Sequence, residues 1–156
     1  MWERRGVGVL DDIDREIIRF LQEDGRMPLT DIAARLQLAE GTVRKRLTRL
    51  VRERIIRLTA VVDPAKVGKT TLALVGVKVD ADRGPEIAEI LAKFPEVRYL
   101  AFSAGEYDLL LEVAVQSNEE LFHFLTKRLR QVDGVKASDS SLILGTVKEA
   151  ASWFGA

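Results

Sequence analysis

Between Arg44 and Arg57 the chain carries seven basic residues and a single acid, Glu53. Cations at that density can neutralise phosphates and release the counterions condensed on a nucleic acid. Wound into a helix at about 100° per residue, the segment divides into two edges. Val43, Leu47, Leu50 and Val51 form an apolar stripe, while Thr42, Lys45, Thr48, Arg49 and Arg52 point away from it, with Arg44 and Arg46 on the flanks. A helix that enters a DNA groove needs this division, with one edge docked on its own domain and the other free. Residues near the N-terminus of such a helix reach base edges. Gly41, Thr42 and Lys45 are therefore expected at the bases, with Arg44 or Arg46 as further candidates. Arg49 and Arg52 are expected at phosphates, which fix position without reading sequence. The competing reading is a solvated cationic face with no partner.

Other constellations fail on spacing. Gly68-Lys69-Thr70 ends like a phosphate loop, but the position that needs the first glycine holds Asp63, and LALVGVKV after it reads as a strand where a helix is required. His123 is the only histidine and cysteine is absent, so a transition-metal centre lacks ligands. A serine–histidine–aspartate site needs its histidine in a pocket, whereas the helical wheel turns His123 away from Leu121, Phe122 and Leu125. No catalytic residue, metal or cofactor is expected, and the chain is not expected to be an enzyme. Absent cysteine excludes disulfides and fits the cytoplasm. No apolar run approaches the roughly 18 residues that span a membrane. Met1 to Leu10, which holds charges and two glycines, does not read as a secretory signal. Trp2 and Trp153 near the ends suit terminal packing better than base stacking.

The elements that must position the basic helix are legible on both sides of it. Asp11, with Asp14 three residues on, opens a first helix whose face is Ile13, Ile17, Phe20 and Leu21, and Asp24-Gly25 ends it. Pro28 precedes a short second helix, 29–36, with Leu29, Ile32, Ala33 and Leu36 on one side. Gln37-Leu38-Ala39 then leads into the basic helix, 40–53. Two short helices, a tight turn and a longer basic helix are the shape of a helix-turn-helix. Ala39 stands where a capping Ser or Thr is usual, so Thr42 or the connecting backbone has to compensate. Helices this short are marginal alone and must stabilise one another through their stripes.

The hydrophobic period changes at Ile55. Residues 57–62 are predicted as a strand closed by Asp63-Pro64, with 65–70 as a connector. Beyond it come a strand at 72–79, a helix begun near Pro85, strands at 97–104 and 108–115, a helix capped by Ser117, and a last strand within 135–147. That βαββαβ order is the ferredoxin-like arrangement. The expected fold class is α+β, an N-terminal winged-helix-like helix-turn-helix domain (1–56), a strand and linker (57–70) and a C-terminal ferredoxin-like domain (71–156). Over 156 residues the composition is 47% hydrophobic and 31% charged, as in a folded globular chain. Net charge is zero, yet residues 1–69 carry +4 and the remainder −4, which suggests two modules with different partners.

Together these residues resemble the Lrp/AsnC (feast/famine) regulators over nearly the whole chain. The likeness is carried in the first half by Leu10-Asp11, Asp14, Gly25-Arg26, Ile32-Ala33, Leu38, Val43, Arg46, Leu50 and Ile55-Ile56. In the second half it is carried by Gly105-Glu106-Tyr107-Asp108 followed by LLLEV, which is similar to that family's G-x-Y/F-D hairpin. The resemblance implies binding to double-stranded operator DNA. It also implies homodimers that assemble further, to tetramers or octamers, and an amino-acid effector bound between subunits near Gly105, Tyr107 and Asp108. Two residues depart from it: Arg54 stands where a glycine is common before the Ile-Ile pair, and Ala39 replaces the usual cap.

A sheet covered by helices on one side should alternate apolar and polar residues, and here the alternation is poor. Leu109, Leu111, Val113 and Val115 share one face, but Leu110 and Ala114 share the other with Glu112. Ala73, Val75, Val77 and Val79 share a face, yet Leu72 and Leu74 lie opposite. A second copy is the simplest cover, and the chain termini are the alternative. Pockets form where subunits meet. There Asp108 could pair with an effector's ammonium, with Ser138 and Ser140 assisting, although turn chemistry alone also favours Gly105 and Asp108. An architectural DNA-binding protein, or a metabolic enzyme with a helical assembly segment, are the competing functions.

Overall fold

A computed structural model describes residues 10–147. They divide into two compact units, one ending at Ala60 and the other spanning Val61–Val147. Trp2 and Trp153 lie outside the described residues.

The first unit holds three helices, α1 (Asp12–Glu23), α2 (Leu29–Leu36) and α3 (Glu40–Arg52). The capping box expected at α1 is present. The Asp11 side chain accepts from Asp14 N–H at 2.8 Å, and the Asp14 side chain accepts from Asp11 N–H at 3.4 Å. Ile17, Ile18, Phe20, Ile32, Ala33, Val43 and Leu50 pack into one core, so each helix contributes its stripe. Val51 departs from the predicted stripe: it is 41% exposed at the C-terminal end of α3. Gln37 makes the tight turn between α2 and α3 in a left-handed conformation (φ 56°), with Leu38 N–H bonded to Ala33 C=O at 2.9 Å. The exit of α3 repeats the device. Arg54 adopts φ 57°, Ile55 N–H reaches Leu50 C=O at 2.9 Å and Arg54 N–H reaches Val51 C=O at 3.0 Å. These bonds form a Schellman motif, which ordinarily takes glycine at the left-handed position. Ala39 provides no side-chain cap, and the backbone bond from Thr42 N–H to Ala39 C=O at 2.9 Å closes the first turn instead.

The predicted strand at 57–62 is not formed. Leu58, Val61 and Val62 are exposed, and the segment pairs with no strand among the described residues. β-Branched residues favour extended backbone, but a strand also needs a neighbour to receive its hydrogen bonds. No wing of strands accompanies the three helices among the described residues. Asp63 instead caps a short 3-10 turn, Pro64–Val67, ended by Gly68 at φ +81°.

The second unit follows the predicted order: β1 (Thr71–Val79), α4 (Gly84–Leu91), β2 (Val97–Phe102), β3 (Leu109–Val115), α5 (Asn118–His123) and β4 (Val135–Leu142). The four strands form one antiparallel sheet in the order β2-β3-β1-β4. β3 is thus inserted between β1 and β2, as in a split βαβ unit. Ala73, Val75, Val77, Leu109, Leu111, Val113 and Val115 face the helices and pack on Ile87, Leu91, Phe124 and Leu129. The second helix differs from the continuous one expected. After His123 it widens into a π turn, Phe124–Arg128, and tightens into a 3-10 turn, Leu129–Gln131. This change of pitch lets both Phe124 and Leu129 reach the core.

Candidate DNA interface and ligand face

The outer edge of α3 borders an open concavity of about 670 Å³ lined by Asp11, Gly41, Thr42, Arg44, Lys45, Arg46, Thr48, Arg49 and Arg52. Every residue expected at DNA therefore falls on one surface, but the cations on it are not equivalent. Lys45 and Thr42 are exposed, and neither side chain has a polar partner among the described residues. Arg44 pairs with Glu40 one turn back, and Arg52 reaches Glu53 at 3.5 Å while staying mostly exposed. Thr48 donates to Arg44 C=O at 2.9 Å.

Arg46 and Arg49 are tied to α1. Arg46 Nη1 donates to Asp11 at 2.6 Å and to Asp14 at 3.0 Å, and Arg49 pairs with the other oxygen of Asp14. Asp14 itself is 0% exposed. The Asp11 carboxyl is held below its usual range by the Asp14 backbone N–H and then by Arg46. The same pairing, with Asp11 first, raises the Arg46 guanidinium. Sequence reasoning placed Arg49 among the phosphate contacts because the wheel turns it outward. It could not see that a carboxylate on a different helix comes within reach. The signal available was Asp14, a charged residue on the apolar side of α1.

Among the described residues no element of the sheet's own unit covers its second face. Directly opposed residues of antiparallel strands point to the same side. The register Leu74↔Glu112, Gly76↔Leu110, Gly76↔Asp139 and Leu74↔Ser141 therefore gathers these side chains together, with Tyr99 beside Glu112. They line a concavity of about 490 Å³ with Tyr107 at one wall. Leu74 is 54% exposed, Tyr99 60% and Leu110 44%. The expectation of an apolar open face is met.

The effector candidates divide. Tyr107 lies on this face, its ring against Gly76 and its hydroxyl donating to Asp139 at 3.0 Å. A Cβ on Gly76 would sit 2.5 Å from that ring, so the close approach requires glycine. The bond to Asp139 is the main reason the Tyr107 phenol is raised above its ordinary value. Gly105 is exposed in the connection from β2 to β3, outside the concavity lining. Asp108 is occupied locally. Its carboxylate accepts from Val79 N–H at 2.9 Å, while its backbone bonds Val77 C=O at 3.0 Å and Ser103 N–H at 2.9 Å. Ser138 and Ser140 oppose Val77 and Val75, which puts them on the helix-covered side, and the concavity takes Asp139 and Ser141 instead. A strand alternates faces with period two, so the register of β4 decides the matter, and that register follows from pairing with β1.

His123 is exposed on α5, and among the described residues no group of three or more His, Cys, Asp or Glu is placed to hold a metal. No helix among the described residues is long and apolar enough to cross a membrane.

Residues 10–51 match the AsnC-type helix-turn-helix domain, and residues 72–153 match the Lrp/AsnC ligand binding domain. An uncharacterized HTH-type transcriptional regulator of Pyrococcus horikoshii is 39% identical over 140 residues, 89% of each chain. An HTH-type transcriptional regulator of Pyrococcus furiosus is 37% identical over 143 residues, 91% of this chain and 94% of its own. Among solved structures, a Neisseria meningitidis transcriptional regulator in complex with L-Met superposes with a TM-score of 0.85 at 28% identity, covering 92% of this chain and 96% of that one. AsnC of E. coli shares the fold, with a TM-score of 0.87 at 20% identity, covering 93% and 99%. An AsnC-type helix-turn-helix followed in the same chain by an Lrp/AsnC ligand binding domain accounts for most of the sequence, and this chain belongs to the Lrp/AsnC family of transcriptional regulators.

Proposed function

We propose that the chain is a cytoplasmic, non-enzymatic regulator that reads operator DNA with α3, pairs with a second copy through the open face of the sheet, and responds to an amino acid. The observation that carries the DNA reading is the free edge of α3, where Thr42 and Lys45 are exposed and unpartnered beside Gly41, Arg44, Thr48 and Arg52. Lys45 and Thr42 sit in the N-terminal part of the helix, where base contacts concentrate. Pairing is supported by Leu74, Tyr99 and Leu110, three large side chains left in water on one face. A twofold pair offers two recognition helices to half-sites spaced by whole turns of DNA. Higher assemblies, tetramer or octamer, build on that pair. An amino-acid effector is supported by the ligand-binding-domain match and by the L-Met complex of the Neisseria relative. Its reach includes Gly105, Tyr107 and Asp108, with Asp139 the carboxylate nearest the Tyr107 hydroxyl. The working domains are 1–56 for DNA, 57–70 as the link and 71–156 for sensing and assembly.

Selection of bound duplexes from a random pool, run with and without free amino acids, tests both halves. A shared motif is expected, and its recovery should change with at least one amino acid. Lys45→Ala should weaken binding to the selected duplex by about 1–3 kcal/mol, roughly fivefold to a hundredfold, with an unchanged melting temperature. Recovery of no motif would leave only non-specific binding.

A further inference from the structure

We propose that Asp14 is the positioning residue of the recognition helix, holding Arg46 and Arg49 against α1 so that Arg44, Lys45 and Arg52 are the cations that meet the duplex. The proposal rests on the DNA-binding reading and sorts the basic residues that reading treats alike.

Asp14 is fully buried in a unit whose other buried side chains, among the described residues, are apolar. A buried carboxylate is tolerated only when opposite charge and hydrogen bonds compensate it. Here the compensation comes from α3. Arg46 donates to one oxygen at 3.0 Å and Arg49 pairs with the other. Asp11 takes a second bond from the same Arg46 nitrogen at 2.6 Å. Arg49 Nε is buried without an acceptor among the described residues, so that edge of its guanidinium also faces inward. Arg46 and Arg49 are three residues apart and therefore neighbours on one helix face. A carboxylate gripping both sets the rotation of α3 about its own axis. Apolar contacts through Val43 and Leu50 are non-directional and cannot set it so tightly. Asp11 and Asp14 thus serve twice, closing the capping box of α1 and orienting α3. A phosphate that approaches either arginine meets a guanidinium whose charge Asp14 already balances, whereas Lys45 brings a charge with no partner among the described residues.

The test is the salt dependence of binding, measured on the full chain with a mixed-sequence duplex several turns long. Each cation that pairs with a phosphate contributes about 0.9 to the slope of log K against log salt. Lys45→Gln should flatten the slope by about that amount, whereas Arg46→Gln and Arg49→Gln should leave it at the parent value. Asp14→Asn should steepen it by about 0.9 for each arginine set free. The same variant should also narrow the affinity ratio between a duplex selected from a random pool and the mixed-sequence one. Loss of about 0.9 from the slope in either arginine variant would overturn the proposal. If Asp14→Asn fails to fold by circular dichroism, the two arginine variants decide alone. A flat salt response in the parent chain would remove the DNA reading itself, and the positioning role with it.

Discussion

The outer edge of α3 and the open face of the sheet both carry exposed side chains, but water treats them differently. On α3 the exposed groups are a lysine, threonines and arginines, all well hydrated, and the two cations nearest the core are neutralised by Asp11 and Asp14. On the sheet the exposed groups include Leu74, Tyr99 and Leu110, whose apolar surface gains free energy, about 25 cal/mol per Å², whenever something covers it. The first surface can wait for a partner and release it when salt rises. The second favours standing association. The proposed regulator uses both, a reversible grip on DNA and an apolar face for a second copy.

The largest effect should come from spoiling the apolar face. Leu74→Asp combined with Leu110→Asp should weaken self-association by about 3 kcal/mol or more, roughly a hundredfold, in sedimentation velocity. An unchanged sedimentation profile would break the contrast, because the face would then not be an interface between copies. Next is the charge cluster. Arg46→Ala with Arg49→Ala leaves Asp14 buried without its partners and should cost about 3 kcal/mol in urea unfolding followed by circular dichroism, with self-association intact. A variant as stable as the parent would show that the cluster is surface decoration.

A smaller, opposite effect is expected at the exit of α3. Arg54 pays for a left-handed backbone that glycine adopts freely, so Arg54→Gly should raise stability by about 1 kcal/mol, read as a higher melting temperature. The smallest effects are those of pH, and they should separate the units. Asp11 has a lowered pKa when folded, so its contribution is present above the usual carboxylate range and is lost as the solution is acidified through the folded value. Tyr107 has a raised pKa, so its contribution is present below the ordinary phenol value and is lost as the solution becomes alkaline through the folded value. Acid should loosen the Asp11–Arg46 tie, and alkali the Tyr107–Asp139 tie. Side-chain NMR titration of the two groups checks both, and a Tyr107 that ionises at its ordinary value would remove the second.

What could be read from the chain follows from how local each cause is. The three helices of the first unit and the βαββαβ order were legible because stripes, caps and turns are set by residues a few positions apart. The open sheet face was legible too, since Leu72 and Leu74 break the alternation of their strand. Residues 57–62 misled because extended propensity is local while a strand's partner is not. Asp14 read only as a cap because its second role depends on Arg46 and Arg49, more than thirty positions away. Ser138 and Ser140 could not be assigned a face from the sequence, because a one-residue choice of register exchanges the two faces, and only pairing with β1 makes that choice.

The fit of the Tyr107 ring over Gly76 binds the histories of those two positions together. A lineage that acquires any side chain at residue 76 must first have trimmed residue 107. Trimming 107 on its own removes the hydroxyl that Asp139 accepts and leaves a hollow in the sheet. Each single step is penalised while the paired step is tolerated, so descendants should keep both residues or exchange both. In a combinatorial library the signature would be few survivors altered at 76 alone, and survivors altered at both sites enriched well above the product of the separate frequencies.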